Sequence, residues 1–250
     1  MEPIKPRAST RISIQWSIGL PQEETDTLVL TFPRHYLDLR IYRGGHPRQG
    51  TIEWAQAGYV EQIPSETESP SLEFRPIISS VPRPPPEIEN LPDQGSFRTL
   101  PNGDVEERGR MYNPSAAENQ DYIEVWRRLP LHITRDDDDA GDPPCLLLEC
   151  RPCTASPDIH AFVGRMGPYA AGIARIASPG YPAGTRFVAW RETFDLSQRA
   201  WRRVHTVGNA EEVNKYIPSV SAFVNGGFPE GGKQVVDGRE WVVLYSSDTN

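Results

Sequence analysis

The chain has 250 residues, with 26 Lys and Arg against 34 Asp and Glu, so its formal net charge is −8. This acidic balance disfavours nucleic acid and anionic membranes as partners, because both attract basic surfaces. No apolar run is long enough for a membrane helix, residues 1–10 lack the apolar core of a signal peptide, and the three Cys do not suit a disulfide framework, so we expect a soluble cytoplasmic protein.

The first half of the sequence predicts about eight short β-strands after a loose arm at residues 1–10. Apolar and polar residues alternate at period two, as in strands with one buried face. The first five predicted strands are Ile12–Ile18, Leu28–Phe32, Tyr36–Arg43, Ile52–Tyr59 and Leu72–Ile78.

A Pro-rich segment, Val81–Pro92, interrupts these strands and predicts a polyproline-like spacer. Beyond it, Asn102-Gly103 predicts a type I′ hairpin turn between a strand at Phe97–Thr99 and one at Val105–Met111. A last strand is predicted at Tyr122–Arg127. Eight strands suffice to close a barrel wide enough for one small ligand.

An acidic stretch rich in Gly and Pro, within residues 131–144, predicts a linker between two domains at 1–130 and 145–250. One short helix is expected, with Asn209 as its N-cap and Pro218 as its end. The predicted strands of the second half are Cys145–Cys150, Ile159–Gly164, Ala171–Ile176, Arg186–Glu192, Trp201–Thr206 and a hairpin over Val235–Tyr245 that turns at Asp237-Gly238.

No cofactor and no metal are predicted. Zinc sites need four ligands, whereas Cys145, Cys150, Cys153 and His160 contain a single C-x2-C pair, so Cys145 and Cys150 are interpreted as small buried residues. The Asp136–Asp139 run lacks the ligand spacing of a calcium loop. Neither a nucleotide-binding motif nor a nucleophile motif is present.

Two groups of residues are candidates for a site. Asp38, Arg40 and Tyr42 share one face of the third strand, which is either a structural ion-pair face or the lining of a cavity where a guanidinium holds an oxyanion. Aromatic residues from four strands either fill the barrel or line an apolar pocket. These aromatic residues are Trp16, Trp54, Phe74 and Trp126.

Four blocks of sequence resemble a fungal family of two-barrel, lipocalin-like proteins named for a yeast member that interacts with a casein kinase. The resemblance implies an all-β fold of two lipocalin-like antiparallel barrels, with the short helix in the second. At Gln56 and Tyr112 the family pattern is more often apolar. The blocks are RISIQW at 11–16, DTLVLT at 26–31 leading into LDLRI at 37–41, EWAQAG at 53–58, and ERGRMYNP with DYIEVWRRLP between residues 107 and 130.

The family resemblance leaves two functions open. One is a non-catalytic ligand-binding or protein-interaction module. The other follows from a divergent branch that the chain also resembles: cofactor-independent enzymes that join a tropolone or phenol-derived quinone methide to a humulene-type sesquiterpene by a hetero-Diels–Alder reaction. We favour the enzyme, and a homodimer stays open.

The enzyme hypothesis gives each candidate residue a role. Arg40 and Arg110 would stabilise the tropolonate-like oxygen, and Tyr112 or Asp38 would pass a proton to the departing hydroxyl. The remaining residues would hold the polyketide and terpene substrates in the N-terminal barrel. These substrate-binding residues are Trp16, Tyr42, Trp54, Gln56, Phe74 and Trp126.

Overall fold

The computed structural model describes residues 4–17, 19–65, 69–132, 143–154, 158–177, 185–223 and 229–247. Within these ranges the chain forms 15 β-strands, one α-helix and a short 3-10 helix at Val220–Ala222. The protein is therefore all-β, as its alternating sequence predicts.

The first eight strands close into an antiparallel barrel in chain order, because β8 pairs back onto β1. Residues 7–10 belong to β1 and pair with β2 or β8, so their prediction as a loose arm is wrong. The strands are β1 Arg7–Trp16, β2 Thr25–Thr31, β3 His35–Tyr42, β4 Ile52–Ile63, β5 Ser71–Ser79, β6 Asp93–Thr99, β7 Val105–Asn113 and β8 Glu118–Arg128.

The hairpin turn between β6 and β7 differs from the predicted type I′ turn. The Gly103 amide donates to the Leu100 carbonyl at 2.9 Å, so Pro101 and Asn102 occupy the centre of the turn. Gly103 has a positive φ of 86°, and Asn102 does not have a positive φ. The fixed φ of proline suits the first central position of an ordinary type I or II turn, which explains the difference.

The barrel turns its apolar residues outward along β2, β3 and β4. Side chains alternate across a strand, so the residues between them point into the barrel. The outward residues are at most 1% exposed, because the second sheet covers them. They are Leu28, Leu30, Leu37, Leu39, Ile41, Ala55 and Ala57.

The second sheet has seven strands in the order β13-β12-β11-β10-β9-β15-β14. Asp237 and Gly238, with φ values of 50° and 73°, form the positive-φ turn predicted between its last two strands. The strands are β9 Cys145–Cys150, β10 Ile159–Met166, β11 Tyr169–Ala177, β12 Thr185–Asp195, β13 Ala200–Val207, β14 Lys233–Val236 and β15 Arg239–Ser246.

The predicted helix is α1, Ala210–Tyr216, and the side chain of Asn209 caps it by accepting from the amides of Glu211 and Glu212. Val213 of this helix is fully buried against the second sheet. None of the described helices is long and apolar enough to cross a membrane.

One apolar core joins the two sheets. Leu147, Phe162 and Ile173 of the second sheet pack in the same cluster as the outward residues of the barrel. At the edge of this contact, the Asp26 carboxylate of β2 lies 2.8 Å from both Arg191 and His205. The predicted linker lies mostly outside the described residues, at 133–142, and the division into two domains stays a prediction.

Two further features of the strands are the burial of their cysteines and one short ladder. Cys145 and Cys150 are buried, as interpreted from the sequence. The ladder between β5 and β6 is short, with four residue pairs from Ser71–Ser96 to Phe74–Asp93, and in the barrel only the β1–β2 ladder, with three, is shorter. The Pro-rich segment that connects these strands forms neither strand nor helix, in agreement with its prediction as a spacer.

Candidate functional site

The barrel is hollow and encloses a cavity of about 690 Å³. Two glycines that face each other across β6 and β7 help to make its wall. A Cβ on Gly95 would lie 2.5 Å from the Glu107 carboxylate, and a Cβ on Gly109 would lie 2.5 Å from the Tyr122 hydroxyl. These glycines therefore give the side chains of Glu107 and Tyr122 the room to lie against the wall.

The cavity has three zones along the barrel axis. Basic residues surround its mouth, where β1 begins and β8 ends: Lys5, Arg7, Arg98 and Arg128. Apolar residues form the middle of the wall: Val29, Leu72, Phe74, Phe97 and Met111. A network of buried charges forms the floor at the opposite end.

Two arginines share one glutamate at the centre of the floor. The Glu124 carboxylate accepts from Arg11 at 2.7 Å and from Arg40 at 2.9 Å. Arg11 also pairs with Glu23 at 2.6 Å, and Arg40 pairs with Asp38 at 2.7 Å. Burial opposes the charge of Arg40, but the Asp38 and Glu124 carboxylates raise its pKa well above the ordinary value.

Two aromatic rings hold the Arg40 guanidinium in place. Its Cζ atom lies 4.7 Å from the centroid of the Trp54 ring and 5.5 Å from that of Trp126. Stacking on the two rings and the contacts to Asp38 and Glu124 fix the position of the guanidinium. Its positive charge is thus balanced within the protein, which reduces its capacity to stabilise an oxyanion.

The cavity also holds two carboxyl groups with raised pKa values. Burial, aided by the Glu124 charge, raises the pKa of Glu107 to about 8. Its carboxylate oxygens accept from the Tyr122 hydroxyl at 2.9 Å and from the Trp126 indole at 2.8 Å. Burial likewise raises the pKa of Asp93 to about 7. At neutral pH the site therefore contains a buried carboxylic acid, a group that can donate a proton.

Gln56 has partners within the protein. Its side chain accepts from the Tyr36 hydroxyl at 3.1 Å and donates to Ser79 at 2.9 Å. Burial raises the pKa of Tyr36 well above its ordinary value, so this hydroxyl stays protonated. The hydrogen-bonding capacity of Gln56 therefore does not require a ligand.

The structure brings six of the ten predicted site residues together at the cavity. Two others lie near its floor end, outside the residues that line it. The Trp16 ring meets Tyr122 edge-on at 6.0 Å, and Tyr42 stacks on His46 at 4.0 Å. The six that line the cavity are Asp38, Arg40, Trp54, Gln56, Phe74 and Trp126.

Arg110 and Tyr112 were expected at the cavity, and this placement is wrong. Met111 lines the cavity, so its neighbours on β7 point to the outer face of the barrel. There the exposed Arg110 pairs with Asp121 at 3.0 Å.

Sequence reasoning missed several acids and one base of the interior, including Glu107, Asp93 and Arg11. A charged residue in a strand is usually assigned to the solvent face. One signal was present: Glu124 shares a strand face with Tyr122 and Trp126. A carboxylate between two aromatic positions of one face indicates a buried, paired acid.

An eight-stranded antiparallel barrel around a ligand-sized chamber defines the chain as an all-β cavity protein. The chain belongs to the HRI1 family, because the family model described as Protein HRI1 matches residues 7–244. It is similar to a solved structure, that of the uncharacterized protein YLR301w from Saccharomyces cerevisiae, with a TM-score of 0.72 and 19% identity over 96% of this chain and 98% of that one. At this identity the likeness concerns the fold. No protein with a curated description matches the chain significantly.

Proposed function

We propose that the protein binds a small organic molecule inside its N-terminal barrel. The observation that supports this function is the cavity of about 690 Å³, which lies within the range of about 300 to 1,000 Å³ that is common for ligand pockets. Its wall joins apolar side chains to a few polar groups that do not move freely, such as Gln56 and Glu107. Such a combination favours an aromatic or polycyclic ligand with one or two hydroxyl or keto groups.

A blocked cavity tests the binding function. The uncharged fluorescent probe N-phenyl-1-naphthylamine should bind the wild type, and Val29→Trp, which places an indole on the cavity wall, should abolish that binding. Val204→Trp, on an exposed position of β13, is the matched control and should bind the probe as the wild type does. Absence of probe binding to the wild type, or equal binding to folded Val29→Trp, would refute the proposal.

The buried acid supports a second candidate, the hetero-Diels–Alder enzyme. A hydroxymethyl tropolone or phenol becomes a quinone methide by losing water: the hydroxyl group takes up a proton, its C–O bond breaks, and the ring O–H gives a proton back. In this proposal Glu107, which lines the cavity and has a pKa of about 8, donates and recovers this proton. The quinone methide then adds across the terpene alkene, and orientation by the Trp54 and Trp126 walls accelerates the addition.

In this second candidate Glu107 takes the proton-transfer role first assigned to Tyr112 or Asp38. Arg40 keeps a role as a positioning residue that holds Trp54 and Trp126. We further propose that the second sheet corresponds to the second lipocalin-like barrel of the two-barrel arrangement.

Incubation of a tropolone alcohol and humulene with the protein tests the enzyme. Wild type should form more adduct than buffer, and Glu107→Gln, which keeps the shape of the side chain but cannot donate its acidic proton, should lower turnover about 100-fold. Arg110→Gln, on the outer face, is the control and should act as wild type. If wild type gives no more adduct than buffer while it binds the uncharged probe, the protein is a binding module without this activity.

A further inference from the structure

Of the four cationic side chains at the mouth of the cavity, only Arg98 has an ion-pair partner among the described residues, which is Glu106 at 2.8 Å. Arg7 is half-buried and lines the cavity, and its side chain makes neither a hydrogen bond nor an ion pair with any described residue. Arg128 and Lys5 lie at the same mouth and also have no ion-pair partner among the described residues.

Other arginines of the barrel show what is unusual about Arg7, which is half-buried and has no ion-pair partner among the described residues. In the floor, Arg11 and Arg40 each have a carboxylate within 3 Å. On the outer face, Arg108 lies 2.8 Å from Glu106, and Arg127 lies 2.8 Å from Asp104. A guanidinium that is half-buried and unpaired is costly, and it gains most from an anion.

The charges around Arg7 make an anionic partner still more favourable. Burial and the neighbouring charge of Arg128 lower the pKa of Arg7, because both disfavour the charged form of its guanidinium. Glu107 is the acid that counteracts this effect, but its own pKa of about 8 leaves it mostly uncharged at neutral pH. An incoming anion at this position therefore meets two cations and little competing negative charge.

We propose that the ligand is a small amphiphilic anion, whose carboxylate or similar acidic group binds Arg7 and Arg128 at the mouth while its apolar body fills the barrel. This inference rests on the proposed binding function and adds the ligand class and its orientation. The apolar zone of Leu72, Phe74 and Phe97 lies directly inside the basic mouth and accepts the body. A planar guanidinium suits the two oxygens of a carboxylate.

Two probes with the same ring system separate the anion site from the cavity. 8-Anilinonaphthalene-1-sulfonate carries a sulfonate, and N-phenyl-1-naphthylamine is the same chromophore without it. Each probe should displace the other from the wild type, because both occupy the cavity. Arg7→Gln should weaken binding of the anionic probe about tenfold and leave the uncharged probe unchanged, since a charge-assisted hydrogen bond is lost.

Three variants sharpen the test. Arg7→Lys keeps the charge and should retain most of the affinity for the anionic probe. Arg128→Gln, at an exposed position, should also lower the affinity for the anionic probe. It replaces Arg7→Gln in the test if that variant does not fold. Arg110→Gln removes an equal charge from the outer face and should change neither probe.

The outcomes separate this inference from the function on which it rests. If the uncharged probe does not bind the wild type, the cavity function itself is wrong. If it binds, but Arg7→Gln and Arg128→Gln alter both probes equally or alter neither, the anion site is refuted and the binding function stands.

Discussion

The two halves of the molecule use the same kind of strand to build opposite interiors. The second sheet covers a filled core, in which Trp190, Trp241, Ile217 and Phe223 are at most 1% exposed. The barrel instead encloses a cavity of about 690 Å³ with a floor of paired charges.

This difference shows that a barrel can stay hollow when its stabilising apolar surface lies outside. Leu37, Leu39 and Ile41 of β3 are buried by the second sheet and contribute hydrophobic free energy there. The inner face of the same strand is then free to carry Asp38 and Arg40. In the second half, α1 and the segment after it fill the corresponding space with Val213 and Ile217.

The largest expected effect comes from breaking the charged floor. Arg11→Ala should lower the free energy of unfolding by about 3–5 kcal/mol, because the buried Glu23 would lose its arginine and the buried Glu124 would keep only Arg40. Arg75→Ala, which removes the ion pairs of an exposed arginine with Glu61 and Glu73, is the control and should change stability little. Denaturant unfolding measures both variants, and equal effects would show that the floor does not stabilise the barrel.

Matched truncations compare the filled core with the hollow barrel. Leu148→Ala in the second sheet should cost about 3–4 kcal/mol, whereas Leu72→Ala on the cavity wall should cost about 1–2 kcal/mol. Truncation of Leu148 creates a new void among packed side chains, whereas truncation of Leu72 enlarges a cavity that is already present. Equal losses in chemical denaturation would mean that the barrel interior is packed in solution.

The raised pKa of Glu107 predicts how barrel stability depends on pH. The folded pKa is about 8 against an ordinary 4.5, so between these values the folded state holds a proton that the unfolded state lacks. Stability must therefore fall as pH rises through this window. Glu107→Gln cannot titrate, so its free energy of unfolding relative to wild type should rise by on the order of 3 kcal/mol from about pH 5 to about pH 8.

Unfolding curves at a series of pH values give this difference directly. A difference between wild type and Glu107→Gln that stays constant with pH would show that Glu107 is ionised in the folded protein. It would also remove the proton donor from the enzyme hypothesis.

The smallest expected effect on stability comes from the cap of helix α1, which packs on the second sheet. Asn209→Ala removes the side chain that accepts from the Glu211 and Glu212 amides, and should cost about 1 kcal/mol. Asn209→Asp keeps an accepting oxygen and should restore the stability. Thermal unfolding compares the two, and a loss of equal size in both variants would contradict the capping role.

Local pattern was sufficient to predict most strands and the helix, because alternation and capping are properties of neighbouring residues. The period of β3 correctly placed Asp38 and Arg40 on one face and Leu37, Leu39 and Ile41 on the other. Which face points inward could not be derived from the strand alone, since it depends on the second sheet that covers the apolar side.

The candidate site also depended on knowing which face of each strand points into the barrel. Four of the predicted substrate-binding residues line the cavity: Trp54, Gln56, Phe74 and Trp126. The placement of Arg110 and Tyr112 was wrong because Met111, between them on β7, is the residue that faces inward. Asp93 could not be found from its neighbours because it starts a strand after a Pro-rich spacer, where an acid is usually solvent-exposed.

The short ladder between β5 and β6 has a consequence for the motion of the barrel. Four residue pairs join these strands, and the second sheet packs mainly on β2, β3 and β4. The three-pair ladder between β1 and β2 lies on that covered side, where Ala8 and Leu30 belong to the shared core. Local opening requires the least free energy where few hydrogen bonds and few buried contacts must break. The amides of Leu72 to Phe74 should thus exchange with solvent sooner than those of Leu37 to Ile41, and the wall beside Phe74 is where the barrel can widen to admit a molecule too large for its resting mouth.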